Sequence, residues 1–360
     1  MRWSYPILKV FGISIELHLT FLVFFVLMAL GDLDAFMFLL LVFSIVLAHE
    51  LIHSITAILH GVRVPKITLL PIGGLASIEL PQDPVLEIKV SVAGPLFNFL
   101  LAALGTVMLY SINTSLVGFQ EILSGFFVGN LGMNSVESVL SVMIYINFML
   151  GAFNMLPAFP MDGGRVFRGV LALWMDYVSA TKIASSVGRA LFAMLAVAGI
   201  LTVNIWWVVI GVFLSFAGGS ELKYVQLKKL LEGKTLSDVA IPSPPYALDS
   251  LAMGDFFDTV YRRGQRRYLV VDSSGILKKV VDLGEMPPVS AHTRLSDLPG
   301  VGYTVADGLT PVVDVMKSIL SQEMVLVVQN QKLKGYITAD TLGESIAYLN
   351  VRGKNGIYSL

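Results

Sequence analysis

The segment SIVLAHELIHSITAIL, residues 44–59, sets His49, Glu50 and His53 in an otherwise apolar run. Two histidines four residues apart stack on one face of a helix, about 6 Å apart along its axis, and can converge on one metal ion. Glu50, turned about 100° from His49, can reach a water held by that metal rather than the metal itself. This is the spacing of zinc hydrolases. A blander reading makes the three side chains satisfied polar groups of a helix bundle. Against it stands the insertion cost of about 2.5–3.5 kcal/mol for an ionisable side chain at membrane depth, which makes such residues markers of cavities, partners or function.

Zinc that keeps one position open for water takes three protein ligands. The chain has no cysteine, so the third must be His, Asp or Glu. Asp162, in NMLPAFPMDGGRV, is the best placed. Pro157 and Pro160 break the preceding helix, and Gly163 and Gly164 let the backbone turn tightly and aim Asp162 back into the bundle.

The elements that must position these groups are membrane helices. The 360 residues are 55% hydrophobic and 14% charged, and the mean hydropathy is +0.74, which excludes an ordinary soluble enzyme. The first 218 residues carry 20 charged side chains and the shorter remainder carries 31. The reading is a transmembrane domain over 1–220, a linker over 221–233, and a soluble part beyond. Apolar runs near 14–30, 36–60, 88–112, 138–156, 184–201 and 203–218 are long enough to serve as six spans. The early Arg2 and Lys9 are followed by no small-residue cleavage site, so the first run reads as a retained span.

Lys and Arg sort to one side. Arg2, Lys9, Arg63, Lys66, Lys89, Arg165, Arg168, Lys182, Arg189 and Lys223 share it, while the loops 31–35 and 113–137 have none. The positive-inside bias then predicts a multi-pass protein of the cell membrane with both termini and the soluble part cytoplasmic. Spans two and four run in the same direction, so HELIH and Asp162 come to similar depth. The segment KITLLPIGGLASIE reads as two short strands around a turn at the membrane surface.

With HELIH, GVRVPKITLLPIGGLASIE, AGPLFN (93–98) and NMLPAFPMDGG in this order, the chain resembles the site-2 protease family of intramembrane zinc metalloproteases. The resemblance covers most of residues 10–170. It implies that His49, His53 and Asp162 bind one Zn2+, that Glu50 is the catalytic base, and that Asn154 orients substrate or stabilises the developing oxyanion. The substrate it implies is a membrane-embedded protein. The family often has Gly and Ala around the second histidine where this chain has Ile52 and Ser54, a change of packing rather than of ligands. His18 reads as an interfacial residue. His60 lies about 10 Å beyond His53 along the helix, too far to share the ion. Asn98 and Asn147 read as hydrogen-bonders within the bundle.

Two similar stretches, RRYLVVDSSGILKKVVDLGEM (266–286) and EMVLVVQNQKLKGYITADTLGES (323–345), show strand, turn, strand and helix start. They resemble a tandem pair of CBS modules, here 234–290 and 291–360, which implies a regulatory α/β unit, adenine nucleotide as ligand and association into a homodimer. The usual Thr-x-x-Asp is altered. Thr338 is followed by Thr341 with Asp340 one place early, and the first copy has Asp282 and Glu285. Nucleotide binding therefore stays open. The run YRRGQRR (261–267) lies in a charge-balanced region and reads as a solvated helix end, with no nucleic-acid partner. A membrane transporter or channel gated by the CBS pair is the alternative function, and a catalytically dead relative is a third.

Overall fold

The structure is a computed structural model that describes residues 4–31, 33–71, 73–78, 80–112, 135–242, 245–262, 265–286, 288–321, 323–330 and 332–345. Most of the loop expected at 113–137 and the tail 346–360 of the second module lie outside the described residues. The chain divides into two units, Met1–Val225 and Gln226–Leu360.

The first unit begins with β1 (Ser4–Val10) and β2 (Ile13–His18), an antiparallel hairpin closed by Phe11 and Gly12, both at positive φ. Such primed two-residue turns match the twist of paired strands. Next come α1 (Leu19–Gly31), α2 (Leu33–Leu59), β3 (Lys66–Leu70) and β4 (Gly73–Ala76). The four strands form one sheet in the order β1-β2-β3-β4, with β2 and β3 parallel. The expected hairpin is thus β3-β4, antiparallel from Ile67↔Ala76 to Leu70↔Gly73.

The first expected span, 14–30, is a correction. Its opening is strand β2, and the 13-residue α1 supplies the rest. Ile13 and Ile15 are buried while Ser14 and Glu16 are not, the period of two that belongs to a strand. At 1.5 Å per residue α1 covers about 20 Å, short of the roughly 30 Å of hydrocarbon.

Then follow α3 (Pro84–Ser111), α4 (Val136–Asn154), α5 (Asp162–Ala172), α6 (Tyr177–Leu201) and α7 (Ile205–Leu231). Among the described residues, α2, α3, α4, α6 and α7 are long and apolar enough to cross a membrane. Their starts are set by local chemistry: Asp83 accepts from the amides of Val85 and Leu86 ahead of Pro84, Ser135 from Ser138, and Asp176 from Ser179. α3 packs against α2, α4 and α5. Ile13 and Ile67 of the sheet share a core with Ala57, Leu86 and Val90, which seats the sheet against the end of α2 and the start of α3. The stretch expected as a linker is helical as far as Leu231.

The second unit contains two copies of one pattern. In the first, β6 (Tyr246–Leu248), α8 (Met253–Thr259), β7 (Arg267–Val271) and β8 (Leu277–Asp282) follow the short β5 (Ile241–Pro242). In the second, the series is β9 (Tyr303–Asp307), α9 (Val312–Leu320), β10 (Met324–Gln329) and β11 (Lys332–Ile337). Each copy pairs its first two strands parallel and its last two antiparallel, with a bulge at Val270/Val271 in one and Val327/Val328 in the other. This is the tandem α/β architecture expected of the CBS pair.

Alternation explains why the strands are apolar throughout. Tyr268 and Val270 face their own helix while Leu269 packs on the other copy; Val325 and Val327 likewise face α9 while Met324 and Leu326 meet Leu269. Packing also crosses the expected division at 290/291. Leu236 and Val239 join the core of the second copy and β5 pairs with β11, whereas Leu295 and Leu298 join the first.

Asp282 is buried at the end of β8. It accepts from Arg266 Nε at 2.6 Å, Arg267 Nε at 2.9 Å and the Gly284 amide at 2.9 Å. Burial alone would raise its pKa, but the two guanidinium groups and the amide outweigh this and hold the carboxyl below the usual range. A folded-state pKa below the unfolded value, about 3.9, gives stability that is present above that pH and is lost as pH falls through the folded value. Asp282→Asn is expected to speed hydrogen exchange of β7 and β8 in the full-length protein at pH 7, and to flatten the further loss of protection on acidification below about pH 4.

Candidate metal centre

α2 carries His49 and His53, both buried, with their Nε2 atoms 3.0 Å apart. Asp162, the first residue of α5, brings Oδ2 to 3.2 Å from Nε2 of His49 and 3.1 Å from Nε2 of His53. Among the described residues this is the one group of three or more His, Asp or Glu side chains close enough to share an ion.

The remaining ring nitrogens are already engaged. Nδ1 of His53 donates to the Val90 carbonyl at 2.7 Å, and Nδ1 of His49 donates to Oδ1 of Asn98. With both protons on Nδ1, two bare Nε2 lone pairs and a carboxylate oxygen face one another. Three acceptors so placed repel unless a cation lies between them. A tetrahedral zinc with bonds of about 2.0–2.1 Å sets its ligand atoms about 3.3 Å apart, close to the spacing found. The donor set fits the metal.

Two glycine-bearing segments make the convergence sterically feasible. A Cβ on Gly94 of α3 would stand 2.3 Å from His53 Nε2 and 2.7 Å from His49 Cε1, so a side chain there would occupy the site. A Cβ on Gly163 would stand 2.3 Å from the Leu156 carbonyl oxygen, and one on Gly164 2.6 Å from the Ala158 carbonyl carbon. Bare backbone at both positions lets α5 begin hard against the turn that precedes it and fixes the direction of Asp162.

Arg168 then anchors α5. Its guanidinium is buried, pairs with Glu87 of α3, donates to Glu221 of α7 at 2.7 Å, and lies 4.8 Å from the ring centroids of both Phe159 and Tyr177. Tyr177 in turn donates to Glu87 at 3.0 Å. The sequence showed Arg168 only as one positive charge among several. Its partners are 81 and 53 residues away, and no local spacing announces them.

Glu50 is half-buried on the adjacent face of α2. It lies against β4, where a Cβ on Gly74 would be 2.6 Å from Glu50 Cγ and 3.5 Å from Oε1. Asn154, at the end of α4, donates to the Leu150 carbonyl at 3.0 Å, and among the described residues no hydrogen bond joins it to the three clustered side chains. His18, half-buried, bonds Thr20, and the exposed His60 donates to the Thr56 carbonyl; both are outside the cluster. Asn98, read from the sequence as a bundle hydrogen-bonder, contacts a clustered histidine directly, with Asn147 behind it.

Two histidines and an aspartate converging inside a bundle of apolar helices, with a glutamate alongside, define a membrane-embedded metallohydrolase. The profile of peptidase family M50 matches residues 37–198. Zinc metalloprotease MJ0392 of Methanocaldococcus jannaschii is 31% identical over 359 residues, 98% of each chain. Among solved structures, a site-2 protease from Methanocaldococcus jannaschii is 33% identical, over 61% of this chain and 95% of that one, with a TM-score of 0.45. The CBS domains of a transcriptional regulator from Streptococcus pneumoniae are 22% identical, over 31% of this chain and 99% of theirs, with a TM-score of 0.27. The chain belongs to peptidase family M50, the site-2 protease family of intramembrane zinc metalloproteases.

Gly94→Ala tests the packing argument. Overpacking costs about 1–3 kcal/mol, and here it falls on the two imidazoles, so zinc binding is expected to weaken by about 10- to 100-fold at 1.4 kcal/mol per tenfold. Chelator competition on the purified protein measures this; a variant that holds zinc as tightly as the parent would contradict the close approach.

Proposed function

We propose that this chain cleaves transmembrane segments of membrane proteins, with His49, His53 and Asp162 holding one zinc ion and Glu50 acting as the catalytic base. The observation that carries the reading is the meeting of three acceptor atoms 3.0–3.2 Å apart at a site flanked by Glu50. Zinc, when bound, acts as a Lewis acid that brings water towards ionisation at neutral pH. Glu50 takes the proton as that water's oxygen adds to the peptide carbonyl carbon, and returns it to the leaving nitrogen as the C–N bond breaks. Asn154 has a second N–H beyond the one given to Leu150, and we assign it to the substrate or to the oxyanion that forms.

A transmembrane substrate hides its carbonyls in its own helix, so it must unwind before attack. Among the described residues, β4 pairs with β3 alone and forms one edge of the sheet, with Gly74 against Glu50. An unwound segment added along that edge would run past the base. The distribution of Lys and Arg supports cytoplasmic termini, a cytoplasmic C-terminal unit and cleavage near that face.

We assign the second unit a regulatory role through an adenine nucleotide, and association of two chains through the CBS pair. A cavity of about 190 Å³ is lined by Gln265, Arg266, Arg267, Thr338, Asp340 and Thr341 among others, which suits a ribose and phosphate. Asp282 does not line it, being taken up by Arg266 and Arg267.

The test of the catalytic reading uses protein purified in detergent and a tagged transmembrane peptide. Glu50→Gln is expected to lose about 10²–10⁴-fold in cleavage rate, as removal of a general base does, while retaining one zinc per chain. Equal cleavage by both forms would reject Glu50 as the base. For the second unit, calorimetry of the full-length protein with ATP and with AMP is expected to register binding of at least one, and silence with both retires the nucleotide assignment.

A further inference from the structure

The hydrogen bonds behind the two histidines differ in kind. His53 Nδ1 meets a backbone carbonyl, that of Val90, which can only accept and cannot turn round. His49 Nδ1 meets the side-chain amide of Asn98, which offers an oxygen in one orientation and an N–H donor in the other. Something must fix which end of Asn98 faces the histidine.

The fixed point is the Met143 carbonyl on α4. Because it can only accept, Asn147 gives it Nδ2, at 2.9 Å. Oδ1 of Asn147 then points the other way and accepts from Asn98 Nδ2 at 2.8 Å. That leaves Oδ1 of Asn98 for His49. Each donor is dictated by the one before it. Both asparagines are fully buried, so water cannot repair a flipped amide, and each group it left unsatisfied would be costly.

We infer that Asn98 and Asn147 are positioning residues that lock His49 as the Nδ1–H tautomer and so keep its Nε2 lone pair directed at the ion. Without Asn147 the Asn98 amide turns freely and can present its N–H₂ to His49 Nδ1. That orientation puts the imidazole proton on Nε2, where it blocks ligation. His53 is immune, because its partner is backbone. The inference rests on His49 being a zinc ligand, as proposed above.

The test measures zinc affinity by chelator competition on the full-length protein in detergent, together with the ¹⁵N spectrum of histidine-labelled, zinc-free protein. Asn147→Leu is expected to weaken zinc binding by about 10- to 100-fold, as loss of an outer-shell partner does, and to shift His49 from one tautomer to a mixture. The double variant Asn98→Asp/Asn147→Leu is expected to recover most of the affinity and the single tautomer, since an ionised carboxylate has no donor to present. A merely structural role for Asn147 predicts no such rescue. The inference is overturned if Asn147→Leu binds zinc like the parent, or if the double variant binds no better than Asn147→Leu. Retention of zinc by His49→Ala would instead remove the ligand assignment itself and the inference with it.

Discussion

Everything in the first unit is arranged around three acceptor atoms that would repel one another without a cation. Nε2 of His49, Nε2 of His53 and Oδ2 of Asp162 lie within 3.0–3.2 Å of one another. Holding them there before an ion arrives costs electrostatic energy, which the surrounding helices must offset. The two histidines come together cheaply, since one helix turn stacks them. Asp162 is the expensive member, because it comes from a separate helix 109 residues beyond His53.

The offset comes from packing and from a buried charge cluster. Gly94 lets α3 approach the imidazoles, and the Gly163-Gly164 pair lets α5 start against the preceding turn. Arg168 then ties α5 to α3 and α7 while its guanidinium lies against Phe159, three residues before Asp162, and Tyr177. Such a cluster is weak evidence for stability in itself, since desolvating its charges costs several kcal/mol. Its contribution is geometric: removing Arg168 would leave Glu87 buried without a counter-charge, though still bonded by Tyr177, so alternative placements of α5 are penalised, and the placement of α5 is the placement of Asp162.

How much of this could be read from the sequence follows the range of each interaction. HELIH is visible because helix periodicity alone puts His49 and His53 on one face. Asp162 is visible because prolines and glycines mark its turn. The amide relay behind His49 is hidden, because His49 to Asn98 and Asn98 to Asn147 are each 49 residues apart. The β1-β2 hairpin is hidden for a different reason. Tyr5, Ile7 and Leu8 of β1 are apolar yet exposed, and with α1 following directly, the period of two in β2 merges into a longer apolar run. The repeats of the second unit were legible because both copies carry the same apolar strands.

The sheet bears on how the proposed base would meet a substrate that is helical at rest. β2, β3 and β4 are held by the core that includes Ala57 of α2 and Val90 of α3, the helices that carry the histidines and the Val90 carbonyl. The edge strand and Glu50 are therefore fixed to the same two helices. On the proposed function, a segment pairing with β4 would satisfy its backbone there instead of in its own helix, so unwinding and presentation to Glu50 would be one event. Gly74 allows the close approach of strand and side chain: a Cβ there would stand 2.6 Å from Glu50 Cγ and displace it.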